Sequence, residues 1–154
     1  MKKQEEHPDV KVVAKNKKAT YLYSIEERIE AGIVLQGSEV KSLRAKNVDI
    51  SDAYAAVKEG EVFLFQAHIA EYKDAGYGGH NPKRARKLLL HAQEIRRLRV
   101  KLVERGFTLV PLSIYFRKGK AKLLLGLARG KKKFDRRRAI KEKDMKKAMR
   151  REKY

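Results

Sequence analysis

Cysteine is absent from the 154-residue chain. That excludes disulfides, thiol nucleophiles and cysteine-ligated zinc, and it suits a reducing compartment. No uninterrupted apolar run approaches the ~20 residues needed to span a bilayer. Met1 to Val10 is polar and charged, without the apolar stretch of a secretory signal. A soluble, cytoplasmic protein is expected. Chemical motifs are equally scarce. His7, His68, His80 and His91 show no metal-ligand spacing and no HExxH occurs, so no metal and no other cofactor is expected. Ala75-Gly76-Tyr77-Gly78-Gly79 lacks the GxxxxGKS/T pattern of a phosphate loop and reads as a flexible loop. Glu26 and Glu27 are adjacent, so on a strand they face opposite ways and make poor acid–base partners. No serine, histidine and aspartate group into a triad. An enzyme is not expected.

What is abundant is positive charge. Lys and Arg number 39 against 19 Asp and Glu, a formal net charge of +20. Self-repulsion on that scale works against a compact chain, so a polyanionic partner is the simplest reason to keep it. Nucleic acid is the partner expected. Residues 129–154 hold 14 Lys or Arg and 4 Asp or Glu, half of the whole excess. Beyond Phe134, Ile140, Met145 and Met149 this segment has almost no large apolar residues. It cannot bury enough surface to offset its own ordering entropy, so a tail disordered when free is predicted, with helical capacity from its composition. A membrane surface fits poorly, because the tail lacks Trp, Leu and a clean apolar face.

Overall 42% of the chain is hydrophobic, enough for a core. From Tyr21 to Leu35 apolar residues recur at odd positions, which predicts a strand or bent strand pair with Gly32 at the bend. Ser38 to Leu43 has apolar residues three apart, a short helix with Ser38 as N-cap. Asp52 to Ile69 reads as a hairpin turning at Lys58-Glu59-Gly60, with Phe63, Phe65, Ala67 and Ile69 alternating on the return. Ile95, Leu98, Leu102 and Leu88 have helical spacing, and Gly106 sits where a C-cap belongs. The last hairpin runs from Phe107 to Phe116 and returns through Ala121, Leu123, Leu125 and Leu127. Pro111 marks a bulge or an edge where apolar parity switches. Long alternating strands with few helices predict a mainly β fold, a small antiparallel barrel with flanking helices.

Two clusters carry the nucleic-acid signal. Asn16-Lys17-Lys18 places cations beside a strand, and Asn81-Pro82-Lys83-Arg84-Ala85-Arg86-Lys87 forms a basic loop entering the second helix. Tyr72, Tyr77 and His80 interleave with that loop and could stack on bases. Each patch alone reads as a solvated face; together with the tail they read as an RNA surface. Glu30, from its neighbours alone, reads as a solvated acid.

Glu30-Ala31-Gly32-Ile33-Val34-Leu35-Gln36-Gly37-Ser38-Glu39-Val40-Lys41-Ser42-Leu43-Arg44 is followed by Ile50-Ser51-Asp52-Ala53-Tyr54. Later come Arg86-Lys87-Leu88-Leu89-Leu90-His91 and Gly130-Lys131-Lys132-Lys133-Phe134-Asp135-Arg136-Arg137. This ordered series closely resembles the SsrA-binding (small protein B) family of bacteria, the protein partners of transfer-messenger RNA. The resemblance runs from about Asn16 into the tail. It implies an oligonucleotide-binding (OB) type barrel that binds the tRNA-like domain of transfer-messenger RNA and delivers it to stalled ribosomes for tagging and rescue. It further implies that Glu30, Leu89 and His91 face RNA, with His91 standing where some relatives have Asn, and that Asn16 lies in an RNA-facing segment. Gly130 becomes a hinge, and Lys131, Lys132, Lys133, Phe134, Asp135, Arg136 and Arg137 become a ribosome-engaging element of the small-subunit decoding centre and mRNA channel, helical there. The predicted division is a polar segment over 1–15, the barrel over 16–128 and the tail over 129–154, acting as a monomer without DNA or membrane partners. A ribosomal or ribosome-assembly protein, which would reside on ribosomes stoichiometrically, and an enzyme acting on RNA, which would need a sequestered titratable pair, are the rival readings.

Overall fold

The computed structural model describes residues 10–71, 79–104, 106–131 and 133–152. Strand β1 (Val10–Lys15) passes through a single helical turn, α1 (Ala19–Leu22), into the long strand β2 (Tyr23–Ile33). Helix α2 (Gly37–Arg44) and strand β3 (Val48–Asp49) follow. Then come β4 (Tyr54–Lys58), β5 (Glu61–Phe65), β6 (His68–Ile69) and β7 (Arg86–Leu89). Helix α3 (Ala92–Val103) precedes the hairpin β8 (Phe107–Arg117) and β9 (Lys120–Gly130), and helix α4 (Lys133–Glu152) ends the described chain.

Pairing runs β8–β4–β5–β7–β2–β9, and β9 also pairs with β8, so the antiparallel circuit closes. Closure leaves little backbone edge unpaired. This is the mainly β barrel with flanking helices that the alternating pattern predicts, and it is OB-like, as the resemblance implies. Along β2 the odd residues Ile29, Ala31 and Ile33 are buried while Ser24, Glu26, Arg28 and Glu30 are exposed. Leu43 of α2 and Leu98 of α3 are fully buried in the same core as Leu64, Leu109, Leu123 and Leu125. No helix among the described residues is long and apolar enough to cross a membrane.

Several local expectations change. Val10–Lys15, assigned above to a polar leader, is a strand of the sheet, paired with Ser113 to Arg117 of β8. β2 continues through Gly32 without breaking, and β9 extends to Gly130, two residues past the expected barrel end. The N-cap of α2 is Gln36, whose side chain forms a capping box with Glu39; Ser38 instead bonds His80. Leu88 is not helical but lies on β7, a strand too short and too cationic to show a period.

On β5 the buried residues are Val62 and Leu64, so Phe63 and Phe65 lie on the other face. Gln66 then takes φ 61, which resets the alternation and turns Ala67 and Ile69 inward. The hairpin turn itself uses Glu59 and Gly60 at φ 52 and 77, the left-handed pair that matches strand twist and that glycine adopts without strain. At Pro111 the register does shift, between Pro111 and Ser113. Leu109 is buried on one parity and Ile114 and Phe116 on the other. One extra residue accounts for the switch.

Candidate nucleic-acid interface

Residue 30 is some sixty positions from residues 89 and 91, and the barrel brings it beside them. Glu30 is on the exposed parity of β2, Leu89 ends β7, and His91 is the N-cap of α3. They line one open groove of about 340 Å³ with Gly32, Leu90, Glu94 and Lys122. Gly32 pairs with Leu89 across the β2–β7 ladder. A Cβ on Gly32 would stand 3.2 Å from the Leu89 Cβ, so glycine lets the leucine lie over the strand. Leu89 is 53% exposed, an aliphatic surface open to an incoming ring. The His91 side chain is 91% exposed, with Nε2 3.9 Å from Glu94 Oε1.

Glu30 does not hang free. Tyr115 Oη donates a short hydrogen bond to Glu30 Oε2, and Arg117 Nη1 approaches the same oxygen at 3.3 Å. Burial, then the hydrogen bond and charge of Glu30, push the Tyr115 phenol well above its ordinary value, so it stays a proton donor to the carboxylate. The arrangement orients the carboxylate, which lines the groove. It also holds Arg117, which no sequence spacing connected to Glu30.

The basic loop divides into buried anchors and exposed cations. Arg86 is 0% exposed. Its Nε donates to Glu39 Oε2 at 2.6 Å, and its other nitrogens donate to the carbonyls of Ala67 at 2.7 Å and Pro82 at 3.0 Å. Arg84 donates to Glu39 Oε1, which also accepts from the Gln36 amide at 2.8 Å. Burial alone would raise the Glu39 carboxyl. The bonds from Arg84, Gln36 and Arg86, with the Arg86 charge, outweigh burial and hold it below 4.5. Arg86, expected at the RNA surface, is therefore an internal strut, because its place on β7 faces the core. Arg84 is partly committed to the same cluster. Lys87, on the outward parity, is exposed and 2.8 Å from Glu61.

His80, expected as a stacking residue, is 5% exposed. It is held between Ser38 Oγ at 2.8 Å and the Ile69 carbonyl at 2.9 Å. Tyr72 and Tyr77 lie outside the described residues.

Asn16 is also internal, 7% exposed. Its backbone amide donates to the Leu112 carbonyl at 2.8 Å and its side-chain amide to the Pro111 carbonyl at 2.9 Å. Those carbonyls flank the bulge, where the ladder is interrupted, so Asn16 supplies donors that the neighbouring strand cannot. Replacing Asn16 with alanine is expected to lower unfolding free energy by about 1–3 kcal/mol while leaving RNA affinity unchanged. Urea unfolding and filter binding on the same preparation check this; lost affinity at parental stability would return Asn16 to the interface. Lys17 is exposed, and Lys18 Nζ lies 3.6 Å from Asp52.

At the other end, Gly130 is an ordinary ladder residue opposite Tyr23, with nothing near its missing Cβ. Its backbone is outside the left-handed region. Lys131 is tied down: its amide bonds the Leu22 carbonyl and its ammonium the Thr20 carbonyl, both at 2.8 Å. Lys132 lies outside the described residues. Lys133, Phe134, Asp135, Arg136 and Arg137 open helix α4, and Arg137 is exposed. Lys143 Nζ stands over the Tyr21 ring, 4.4 Å from its centroid.

Sequence reading missed Tyr115, Arg117, Lys122 and Glu94 around the groove. Their only signal is three-dimensional. No group of metal-capable side chains occurs among the described residues.

Comparison with known proteins places the chain in a family. A family model described as SmpB protein matches residues 13–154. An SsrA-binding protein of Solidesulfovibrio magneticus is 53% identical over 135 residues, covering 88% of each chain. One from Treponema denticola is 50% identical over 147 residues, 96% of each chain. A solved structure described as "tmRNA-SmpB: a journey to the center of the bacterial ribosome" contains a chain that is 47% identical, with a TM-score of 0.66. The match covers 82% of this chain and 93% of that one. On these similarities, spanning barrel and C-terminal segment alike, the chain belongs to the SmpB (SsrA-binding protein) family.

Proposed function

We propose that this protein binds the tRNA-like domain of transfer-messenger RNA and delivers it to ribosomes stalled without a usable codon. The RNA-binding groove is that of Glu30, Leu89 and His91. Its convergence from β2, the β7–α3 junction and Lys122 of β9 is the observation that supports the assignment. Leu89 offers an apolar surface for a base or ribose. His91 offers one hydrogen bond or a stacking face, and Glu30 accepts from base amino groups while Arg117 and Lys122 meet nearby phosphates. The basic helix α4 enters the mRNA channel in place of codon–anticodon pairing. Any disorder of this segment in free solution is then resolved on the ribosome, where phosphates surround cations on every face. The protein works by contact in the cytoplasm, as an RNA-binding protein and not as a catalyst.

Reversing Glu30 to Lys tests the groove. The substitution adds positive charge, which by long-range attraction strengthens RNA binding. It also removes the acceptor and sets a second cation beside Arg117. If the groove is the contact, affinity for the transcribed tRNA-like domain falls roughly tenfold or more, about 1.4 kcal/mol. Parental or tighter binding would remove Glu30 from the interface.

A further inference from the structure

The outer surface of the sheet continues past the groove. On β7, Lys87 and Leu89 are exposed while Arg86 and Leu88 are buried. Lys87 is opposite Phe63 on β5, and across the next ladder Phe63 is opposite Ala56, Phe65 opposite Tyr54 and Glu61 opposite Lys58. Opposed residues share a face. Leu89 of the groove therefore lies on one surface with Phe63, Phe65 and Tyr54; Phe63 faces Lys87, two residues from Leu89 on β7, and Phe65 and Tyr54 follow along the strands at roughly 15 Å from Leu89.

That surface is an aromatic row. Tyr54 is 45% exposed. Its ring stacks on Phe65 with centroids 5.5 Å apart and 27° between planes, and Phe63 lies 6.3 Å from Phe65. Lys58 Nζ is 5.6 Å from the Phe65 centroid. Lys87 is held by Glu61, a surface pair that a phosphate can displace at little cost. Cross-strand packing alone explains why the rings touch one another. It does not explain why they stand on the outer face, interleaved with ammonium groups and continuous with the groove.

We propose that this row is a second RNA contact, on which unpaired bases of the RNA held in the Glu30–Leu89–His91 groove stack while Lys58 and Lys87 take the intervening phosphates. The proposal rests on the RNA-binding reading of that groove. Continuity with it, together with the net charge of +20, favours RNA over a protein as the occupant. Stacking on rings is tolerant of base identity, so this contact adds affinity without reading sequence.

Tyr54→Leu and Phe65→Leu remove the rings and keep apolar side chains. Each is expected to weaken binding of the transcribed tRNA-like domain at least about fivefold at fixed ionic strength. The salt slope should be unchanged, because no cation is lost. Lys58→Gln should instead flatten the slope by roughly 0.7–0.9 per phosphate contact. Parental affinity in both leucine variants, with Glu30→Lys weakened, overturns the platform and leaves the groove standing. The reverse pattern, with Glu30→Lys parental and the leucine variants weakened, overturns the groove instead. Should the variants fail to fold, ultraviolet crosslinking of the unmodified complex decides: adducts on the Tyr54 or Phe65 peptides support the platform, and adducts confined elsewhere overturn it.

Discussion

Replacing Glu39 with alanine lowers the unfolding free energy by about 3–5 kcal/mol, the expected cost of leaving a buried cation without its counterion. Glu39 and Arg86 both have fully buried side chains. Arg86 has two other carbonyl acceptors within 3.0 Å, but neither carries a compensating charge. Loss of Glu39 also removes the capping box of α2 and the acceptor of Arg84. One substitution therefore loosens α2, β7 and the base of the basic loop together. RNA affinity falls only through this loosening, so it should recover in conditions that restore folding.

The same carboxylate sets an acid dependence. Its folded-state pKa lies below the ordinary 4.5. The stabilisation it supplies is thus complete above that value and is withdrawn as pH falls through the folded value. Urea midpoints of the parent should decline from near pH 4.5 downward, and Glu39→Gln should lack that component. Parallel profiles for the two proteins would show that the carboxylate is not what holds the cluster.

Removing the tail should separate binding from delivery. The fold places the cut: β9 runs to Gly130, and Lys131 still bonds the Thr20 and Leu22 carbonyls. Truncation from residue 132, three residues later than composition indicates, leaves those bonds in place. It keeps every residue of the groove. Affinity for the isolated tRNA-like domain should stay within about tenfold, the loss coming from diffuse attraction to phosphate. Tagging on stalled ribosomes should fall to background. Tagging at the parental rate would end the ribosomal role proposed for α4, and affinity lost by orders of magnitude would place the tail in the RNA site instead.

How much of this was legible beforehand can be judged residue by residue. Period-two alternation along β2, β8 and β9 was visible because each strand has eleven residues and one dry face. β7 was invisible with four residues, and it carries both Leu89 and Arg86. Asn16, His80 and Arg86 look like surface groups in one dimension, since polarity normally means exposure. Each is buried beside specific partners: the bulge carbonyls for the Asn16 amide nitrogens, Ser38 with Ile69 for His80, and Glu39 with two carbonyls for Arg86.

The sequence by itself determined the fold class, a nucleic-acid partner and the basic C-terminal segment, and its resemblance to a family made that partner an RNA. Charge and alternation are summed over many residues, and local errors cancel in such sums. Only the tertiary structure decided which cations are buried and which exposed, that Gly32 lies close against Leu89, and that Tyr115 and Arg117 hold Glu30. Those facts depend on strand order and register, and a single residue of slip on a strand exchanges its inner face for its outer one.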